Sequence, residues 1–209
     1  MKIETGYGPA AADLDIPAAP RFLLVLTHGA AGGVDSADLL AARDAAAALG
    51  GAVARVLQPY RVRGARAPGP AQRQDAAWLE IIATLRAEIP DVPLVQGGRS
   101  NGARVACRTA LAAGASGVLA LAFPLHPPGR PERSRADELR AAGTNVLVIN
   151  GSRDPFGIPD RADATKIVVL AGETHALTGS PGLVAGEVGT WLSAVLSAVL
   201  GAVLGLGPH

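Results

Sequence analysis

The chain has 209 residues, of which 49% are hydrophobic and 18% are charged, and its formal net charge at pH 7 is +1. This length supports one substantial core, and the hydrophobic fraction excludes an unfolded chain, so we expect a single domain over residues 1–209. The nearly balanced charge provides no strong field for nucleic acid or for an anionic membrane, and we expect neither as a partner.

Short apolar runs alternate with helical patterns along most of the chain, which is typical of a mostly parallel sheet with helices on both faces. The first twenty residues are less regular, and we predict an edge hairpin there. The predicted strands cover residues 22–27, 52–57, 93–96, 117–123, 145–150 and 166–170. The predicted helices cover residues 36–49, 71–89, 101–113, 132–142 and 183–207. Together they predict one doubly wound α/β domain.

The C-terminal stretch 189–207 contains no charged residue and reaches the length of a short membrane span. Its repeated Ala-Val-Leu triplets place Val and Leu along one stripe of a helix. We therefore predict a terminal helix that packs on the domain, with its last turns available to a second copy in a homodimer. A membrane anchor is the less favoured alternative.

The location of the protein is predicted from two features. No apolar stretch of signal-peptide length follows Met1, and the single cysteine, Cys107, has no partner for an intramolecular disulfide. We therefore expect a cytoplasmic protein.

The strongest chemical signal is the segment 98–102, which reads Gly-Arg-Ser-Asn-Gly between a predicted strand and a predicted helix. Small residues on both sides of a serine allow a sharp turn that exposes its hydroxyl at the carboxyl edge of the sheet. The N-terminus of the following helix supplies unpaired amides where an oxyanion would form. We predict that Ser100 is a nucleophile, the alternative being a structural turn.

A serine hydroxyl needs a base, and a histidine that follows Ser100 is expected; with His209 set aside as the last residue, the candidates are His126 and His175. His175 lies between the last strand and the final helix, where the last loop returns to the nucleophile, so we choose it as the base. Asp154 follows the fifth predicted strand and gives the order serine, acid, histidine. The alternative for Asp154 is a turn residue that precedes a proline.

The loop after the first predicted parallel strand, residues 28–33, reads His-Gly-Ala-Ala-Gly-Gly. Its small residues allow the backbone to approach a substrate carbonyl. We predict that the backbone amides of Asn101 and Ala30 form an oxyanion hole, with Gly29 as the next candidate. His28 is expected to brace the loop. This chemistry needs no metal and no organic cofactor, and we expect neither.

These segments together resemble the small dienelactone-hydrolase-like α/β-hydrolases related to the testis-expressed and KANSL-type proteins. The resemblance spans residues 20–193 and depends on the loop 28–30, the turn 97–104, Phe-Pro-Leu-His-Pro-Pro-Gly at 123–129, Gly-Ser-Arg-Asp-Pro-Phe-Gly at 151–157 and the His175 loop. It implies an α/β-hydrolase fold with minimal or no cap. It also implies a catalytic triad of Ser100, Asp154 and His175.

The substrate side of the site is less defined. The resemblance implies that His126 lies near the site, and we take it, with Arg99 and Phe156, as a candidate substrate-binding residue. Arg99 and Arg153 carry positive charge that would favour an anionic substrate. The equally weighted alternative is that both side chains brace loops.

Two functions from different classes fit these patterns. The preferred one is a serine hydrolase that cleaves a small ester, thioester or lactone through an acyl-enzyme on Ser100. The short connection between residues 123 and 132 leaves little material for a lid, which favours small acyl substrates. The alternative is a non-catalytic interaction module that keeps the hydrolase scaffold and binds a partner through its C-terminal helix.

Overall fold

The computed structural model describes residues 1–203, and within them it contains one eight-stranded sheet with helices on both faces. The strands are β1 (Lys2–Ile3), β2 (Ala10–Asp15), β3 (Leu23–Thr27), β4 (Ala52–Leu57), β5 (Leu94–Arg99), β6 (Gly117–Leu121), β7 (Asn145–Gly151) and β8 (Lys166–Leu170). The helices are α1 (Ala37–Ala48), α2 (Pro59–Val62), α3 (Ala71–Glu88), α4 (Asn101–Ala113), α5 (Ala136–Arg140) and α6 (Pro181–Val203).

The strands follow the order β1-β2-β4-β3-β5-β6-β7-β8 across the sheet. Strands β3 to β8 are parallel, whereas β1 and β2 form an antiparallel pair at one edge, where the sequence predicts a hairpin. Because parallel strands end at the same edge, the loops after β3, β5, β7 and β8 meet there. The prediction of a mostly parallel, doubly wound sheet without a cap is confirmed.

Some element boundaries differ from the prediction. Strand β5 continues to Arg99 rather than ending at residue 96, because its glycines pair with β3 and β6 instead of forming a turn. Strand β6 ends at Leu121 because the next residue, Ala122, has a φ of 46° and leaves the extended conformation. The helix predicted over 132–142 shortens to α5, and α2 was not predicted.

Two buried layers enclose the sheet. Helices α1 and α6 cover one face, where Leu24, Leu26 and Leu39 belong to the same apolar cluster as residues of α6. Helices α3 and α4 pack side by side on the other face, with the fully buried Trp78 and Ile81 on α3 facing the strands. This double covering explains why the central strands are nearly continuous apolar runs.

Helix α6 begins at Pro181 rather than at residue 183, and the predicted residues 204–207 lie outside the described residues. Its span Pro181–Ala202 is long and apolar enough to cross a membrane. Core helices of soluble proteins share this property. One side of it is buried against the sheet and α1, through Val184, Val188 and Leu192. This packing agrees with the prediction of a helix docked on the domain.

Candidate active site

The turn between β5 and α4 places Ser100 at the carboxyl edge of the sheet. Ser100 has φ 53° and ψ −114°, a strained conformation for a residue with a side chain. Its flanking glycines permit this turn because they touch the neighbouring strand: a Cβ on Gly98 would lie 2.4 Å from the Thr27 carbonyl oxygen, and one on Gly102 would lie 2.6 Å from it. The predicted sharp strand-to-helix turn is therefore present.

The structure brings Ser100, His175 and Asp154 together, although they lie up to 75 residues apart in the chain. The Oγ of Ser100 lies 2.9 Å from Nε2 of His175, and Nδ1 of the same ring lies 2.8 Å from Oδ2 of Asp154. With Nδ1–H donating to the carboxylate, Nε2 is free to accept the serine proton. The Asp154 carboxylate has no exposed surface, whereas 20% of the His175 side chain is exposed.

The carboxylate of Asp154 is held in place by the end of β7 and by its own loop. Its Oδ1 accepts a 2.9 Å hydrogen bond from the Phe156 amide. Its Oδ2 accepts a longer bond of 3.3 Å from the Asn150 side chain, and the same Asn150 amide also donates to the carbonyls of Phe123 and Gly157. Asn150 therefore fixes the acid loop to the end of the neighbouring strand.

The imidazole of His175 is positioned from two sides. The ring of Phe156 lies against it, with the ring centroids 4.3 Å apart and the planes tilted by 35°. The guanidinium of Arg99 donates a 2.6 Å hydrogen bond to the His175 backbone carbonyl, and its Nε donates to the buried carboxylate of Asp38 at 2.8 Å. Arg99 thus connects the turn that carries Ser100 to the loop that carries His175.

The predicted oxyanion donors flank Ser100. A Cβ on Gly29 would lie 3.4 Å from the Ser100 Cβ, so the loop 28–33 passes directly over the nucleophile. In the described chain, the amides of Ala30 and Asn101 donate to no protein acceptor, which leaves both available for an oxyanion. Which of Ala30 and Gly29 donates stays a prediction.

Two side chains from α2 fix this loop. Tyr60 donates a 2.9 Å hydrogen bond to the Ala30 carbonyl, and Arg61 donates one of 2.9 Å to the Gly32 carbonyl. Burial raises the pKa of Tyr60 to about 12, so its hydroxyl stays protonated and can donate. These side chains therefore hold the loop by its carbonyls, and the amide of Ala30 remains free.

His28 braces the base of the same loop, as its position in the sequence suggested. It is fully buried; its Nδ1 lies 2.8 Å from the Gly29 carbonyl, and its Nε2 accepts from the Gln58 amide at 3.0 Å. These partners fit a neutral ring with the proton on Nδ1. Desolvation by burial lowers the pKa of His28 below its ordinary value, which keeps the ring neutral.

The candidate substrate-binding residues take different positions. Arg99, proposed as a substrate contact, instead braces His175, and Arg153 braces the carbonyl of Gly172. The geometry therefore favours the bracing alternative for both arginines. Phe156 stacks on the base, and half-buried His126 packs against the acid loop, where its backbone amide donates to the Phe156 carbonyl at 2.9 Å.

Sequence reasoning missed three residues that support the site: Asp38, Asn150 and Gln74. Asp38 pairs with Arg99, Asn150 holds Asp154, and the Oε1 of Gln74 accepts a 2.7 Å hydrogen bond from the Asn101 side chain. Of the three, only Asn150 could have been identified from the sequence, because it is a polar residue at the carboxyl end of an apolar strand. Among residues 1–203, no group of three or more His, Cys, Asp or Glu side chains is placed to hold a metal ion.

Comparisons with known proteins agree with this architecture. Residues 20–178 match a family model described as an alpha/beta hydrolase domain, and no curated protein matches the sequence. The fold is similar to that of Est1E from Butyrivibrio proteoclasticus, solved with ferulic acid bound, with a TM-score of 0.75 and 17% identity over 94% of this chain and 99% of that chain.

Two further solved structures are similar. One is an α/β serine hydrolase without a lid from Xanthomonas campestris, with a TM-score of 0.74 and 18% identity over 93% of each chain. The other is a dienelactone hydrolase from Anabaena variabilis, with a TM-score of 0.70 and 15% identity over 93% of this chain and 95% of that chain. At these identities the likeness shows the fold, which is the α/β-hydrolase fold predicted from the sequence. The narrower KANSL and testis-expressed-type group stays a prediction.

Proposed function

The chain belongs to the alpha/beta hydrolase family, and from that premise we propose that it is a serine hydrolase that forms an acyl-enzyme on Ser100. The observation that carries this proposal is the hydrogen-bonded line from Ser100 through His175 to Asp154, with links of 2.9 and 2.8 Å. A weak hydroxyl nucleophile needs a base in contact with it, and that base needs a carboxylate that orients its ring.

In the proposed acylation step, the Ser100 oxygen attacks the substrate carbonyl carbon while its proton passes to Nε2 of His175. The substrate oxygen becomes an oxyanion, which the free amides of Ala30 and Asn101 bind. Asp154 stabilises the charged imidazolium through Nδ1–H. When the tetrahedral intermediate collapses, the leaving alcohol or thiol takes the proton from His175 and departs.

Deacylation reverses these roles. A water molecule gives a proton to His175 and attacks the acyl carbon, and the same two amides bind the second oxyanion. Collapse of this intermediate releases the acid and returns the proton to the Ser100 oxygen. The chain's own side chains therefore handle every proton in the cycle, and the proposal includes no metal or cofactor.

The connection between β6 and α5 supports small substrates. Only a loop, residues 122–135, joins β6 to α5, and no cap is inserted there. The pairing of an accessible nucleophile with a lidless edge favours short esters, thioesters or lactones over long lipids. Similar folds have been solved with ferulic acid bound in Est1E and for a dienelactone hydrolase, which fits this substrate class.

The decisive experiment is labelling with a fluorophosphonate probe, which reacts with an activated serine. We expect the native protein to be labelled, Ser100→Ala to be unlabelled and His175→Ala to label at least 100-fold more slowly. Ser193→Ala, which removes an exposed serine on α6, is the matched control and should label like the native protein.

Turnover of short p-nitrophenyl esters completes this test. Asp154→Asn should lower kcat by roughly 10⁴, because an amide NH2 that donates to Nδ1 favours the tautomer with the proton on Nε2, and because the amide lacks the charge that stabilises the imidazolium. A folded native protein that is neither labelled nor active on these esters would contradict the proposal and favour the non-catalytic interaction module.

A further inference from the structure

A cavity of about 530 Å³ lies beside the proposed oxyanion loop, walled by the β1–β2 hairpin, α2 and the first turn of α3. None of Ser100, Asp154 and His175 lines it, so it is distinct from the proposed centre of chemistry. Its polar lining consists of Tyr7, Gln58, Tyr60, Arg63, Arg73 and Gln74. A space of this size can hold a substantial part of a small molecule.

The cavity borders the proposed oxyanion hole through two of its lining residues. Tyr60 donates a hydrogen bond to the carbonyl of Ala30, and Gln74 accepts one from the side chain of Asn101. Ala30 and Asn101 are the two residues whose amides would bind the substrate oxygen. A substrate anchored at those amides is therefore separated from the cavity by the residues that form its wall, Tyr60 and Gln74.

Positive charge dominates the cavity wall. Arg63 and Arg73 line it, and no carboxylate does. Within residues 1–203, Arg73 makes neither a hydrogen bond nor an ion pair, and Arg63 uses only Nη1, to bind the Tyr7 carbonyl. Glu80 lies on the same face of α3, two turns beyond Arg73, but it does not line the cavity. Its carboxylate accepts a 2.7 Å hydrogen bond from the Gly6 amide.

We propose that this cavity binds an anionic group, a carboxylate or a phosphate, at the far end of the substrate. The inference rests on the function proposed above and names the substrate class: a small ester, thioester or lactone that carries a negative charge away from the reacting carbonyl. Guanidinium groups bind both anions through paired N–H donors, and charge-assisted hydrogen bonds are among the strong ones.

The kinetic test compares two p-nitrophenyl esters of matched acyl length, the monoglutarate and the valerate, which differ in a terminal carboxylate. We expect the native protein to prefer the glutarate in kcat/KM. Arg63→Met and Arg73→Met should each lower the glutarate-to-valerate ratio about tenfold. Arg66→Met removes an arginine from the same segment that does not line the cavity, and it should leave the ratio unchanged.

A binding measurement decides the proposal even if no ester is hydrolysed. Glutarate and inorganic phosphate are titrated separately into the native protein while the Nε–H signals of its arginines are followed by NMR. Shifts of the Arg63 and Arg73 signals with either anion support the proposal, and the responding anion identifies the group. No shift with either anion would overturn it, as would an unchanged kinetic ratio in both variants. Absence of ester turnover alone would instead count against Ser100 as the nucleophile.

Discussion

The guanidinium of Arg99 donates a 2.6 Å hydrogen bond to the backbone carbonyl of His175, 76 residues away in the chain. Because Arg99 directly precedes Ser100, this bond joins the loop of the proposed base to the turn of the proposed nucleophile. The same side chain is anchored by the fully buried carboxylate of Asp38. The alignment of Ser100 with His175 therefore depends on a buried ion pair outside the proposed triad.

Replacing Arg99 with Met should lower kcat about 100-fold with little change in KM, because the His175 loop loses its tether and the base is misplaced. Arg99→Lys should recover little activity, since an ammonium lacks the planar fork that reaches both Asp38 and the carbonyl. Steady-state kinetics on a short p-nitrophenyl ester measures both constants. A rise in KM at unchanged kcat would instead indicate that Arg99 contacts the substrate.

Asp38→Asn should lower the free energy of unfolding by about 3 kcal/mol, because it leaves the largely buried guanidinium of Arg99 without a counter-charge. Asp44→Asn is the matched control on the same helix. Asp44 is 63% exposed in its pair with Arg43, so that change should cost less than about 0.5 kcal/mol. Urea denaturation of the three proteins measures the difference, and equal stabilities would refute a buried-pair role for Asp38.

The stability of the protein should fall as the pH drops below about 6.5, partly because of His28. Burial lowers the pKa of His28 in the folded state, so below pH 6.5 the unfolded chain binds a proton that the folded chain does not. The free energy of unfolding then decreases by up to about 1.4 kcal/mol per pH unit from this group. Above pH 6.5 His28 is neutral in both the folded and the unfolded state, and the free energy of unfolding no longer depends on pH through this group.

Denaturation curves between pH 8 and pH 5 check this prediction against His28→Gln. The variant should be less stable at every pH, because packing and one hydrogen bond are lost, but its stability should depend less steeply on pH below 6.5. The quantity to compare is the slope of the free energy of unfolding against pH in the native protein and in the variant. Parallel slopes would mean that His28 does not cause the acid sensitivity.

Gly98→Ala should prevent the sharp turn from closing. The added Cβ would lie 2.4 Å from the backbone oxygen of Thr27, which belongs to a central strand and cannot yield easily. We expect a loss of about 3 kcal/mol or more and loss of ester turnover. Gly182→Ala on α6 is the control, since a Cβ there meets nothing within 4 Å, and it should leave ester turnover unchanged and cost no stability. A stable, active Gly98→Ala variant would show that the turn tolerates a side chain.

The sequence by itself determined the fold class and most of the elements. Apolar runs of strand length with helical patterns between them required a covered parallel sheet, and the parallel arrangement places the loops after β5, β7 and β8 at one edge. Those are the loops that carry Ser100, Asp154 and His175, so their approximate convergence followed from connectivity. The sequence order serine, acid, histidine then left few alternative assignments.

Only the tertiary structure decided how the site is supported. Arg99 could be interpreted from sequence as a substrate contact or a brace, because its partners Asp38 and His175 are 61 and 76 residues away. The lateral order of the strands and the cavity beside α3 also depend on such distant contacts. Local propensity and periodicity describe neighbours along the chain. Side-chain hydrogen bonds across loops arise only when the sheet has brought those loops together.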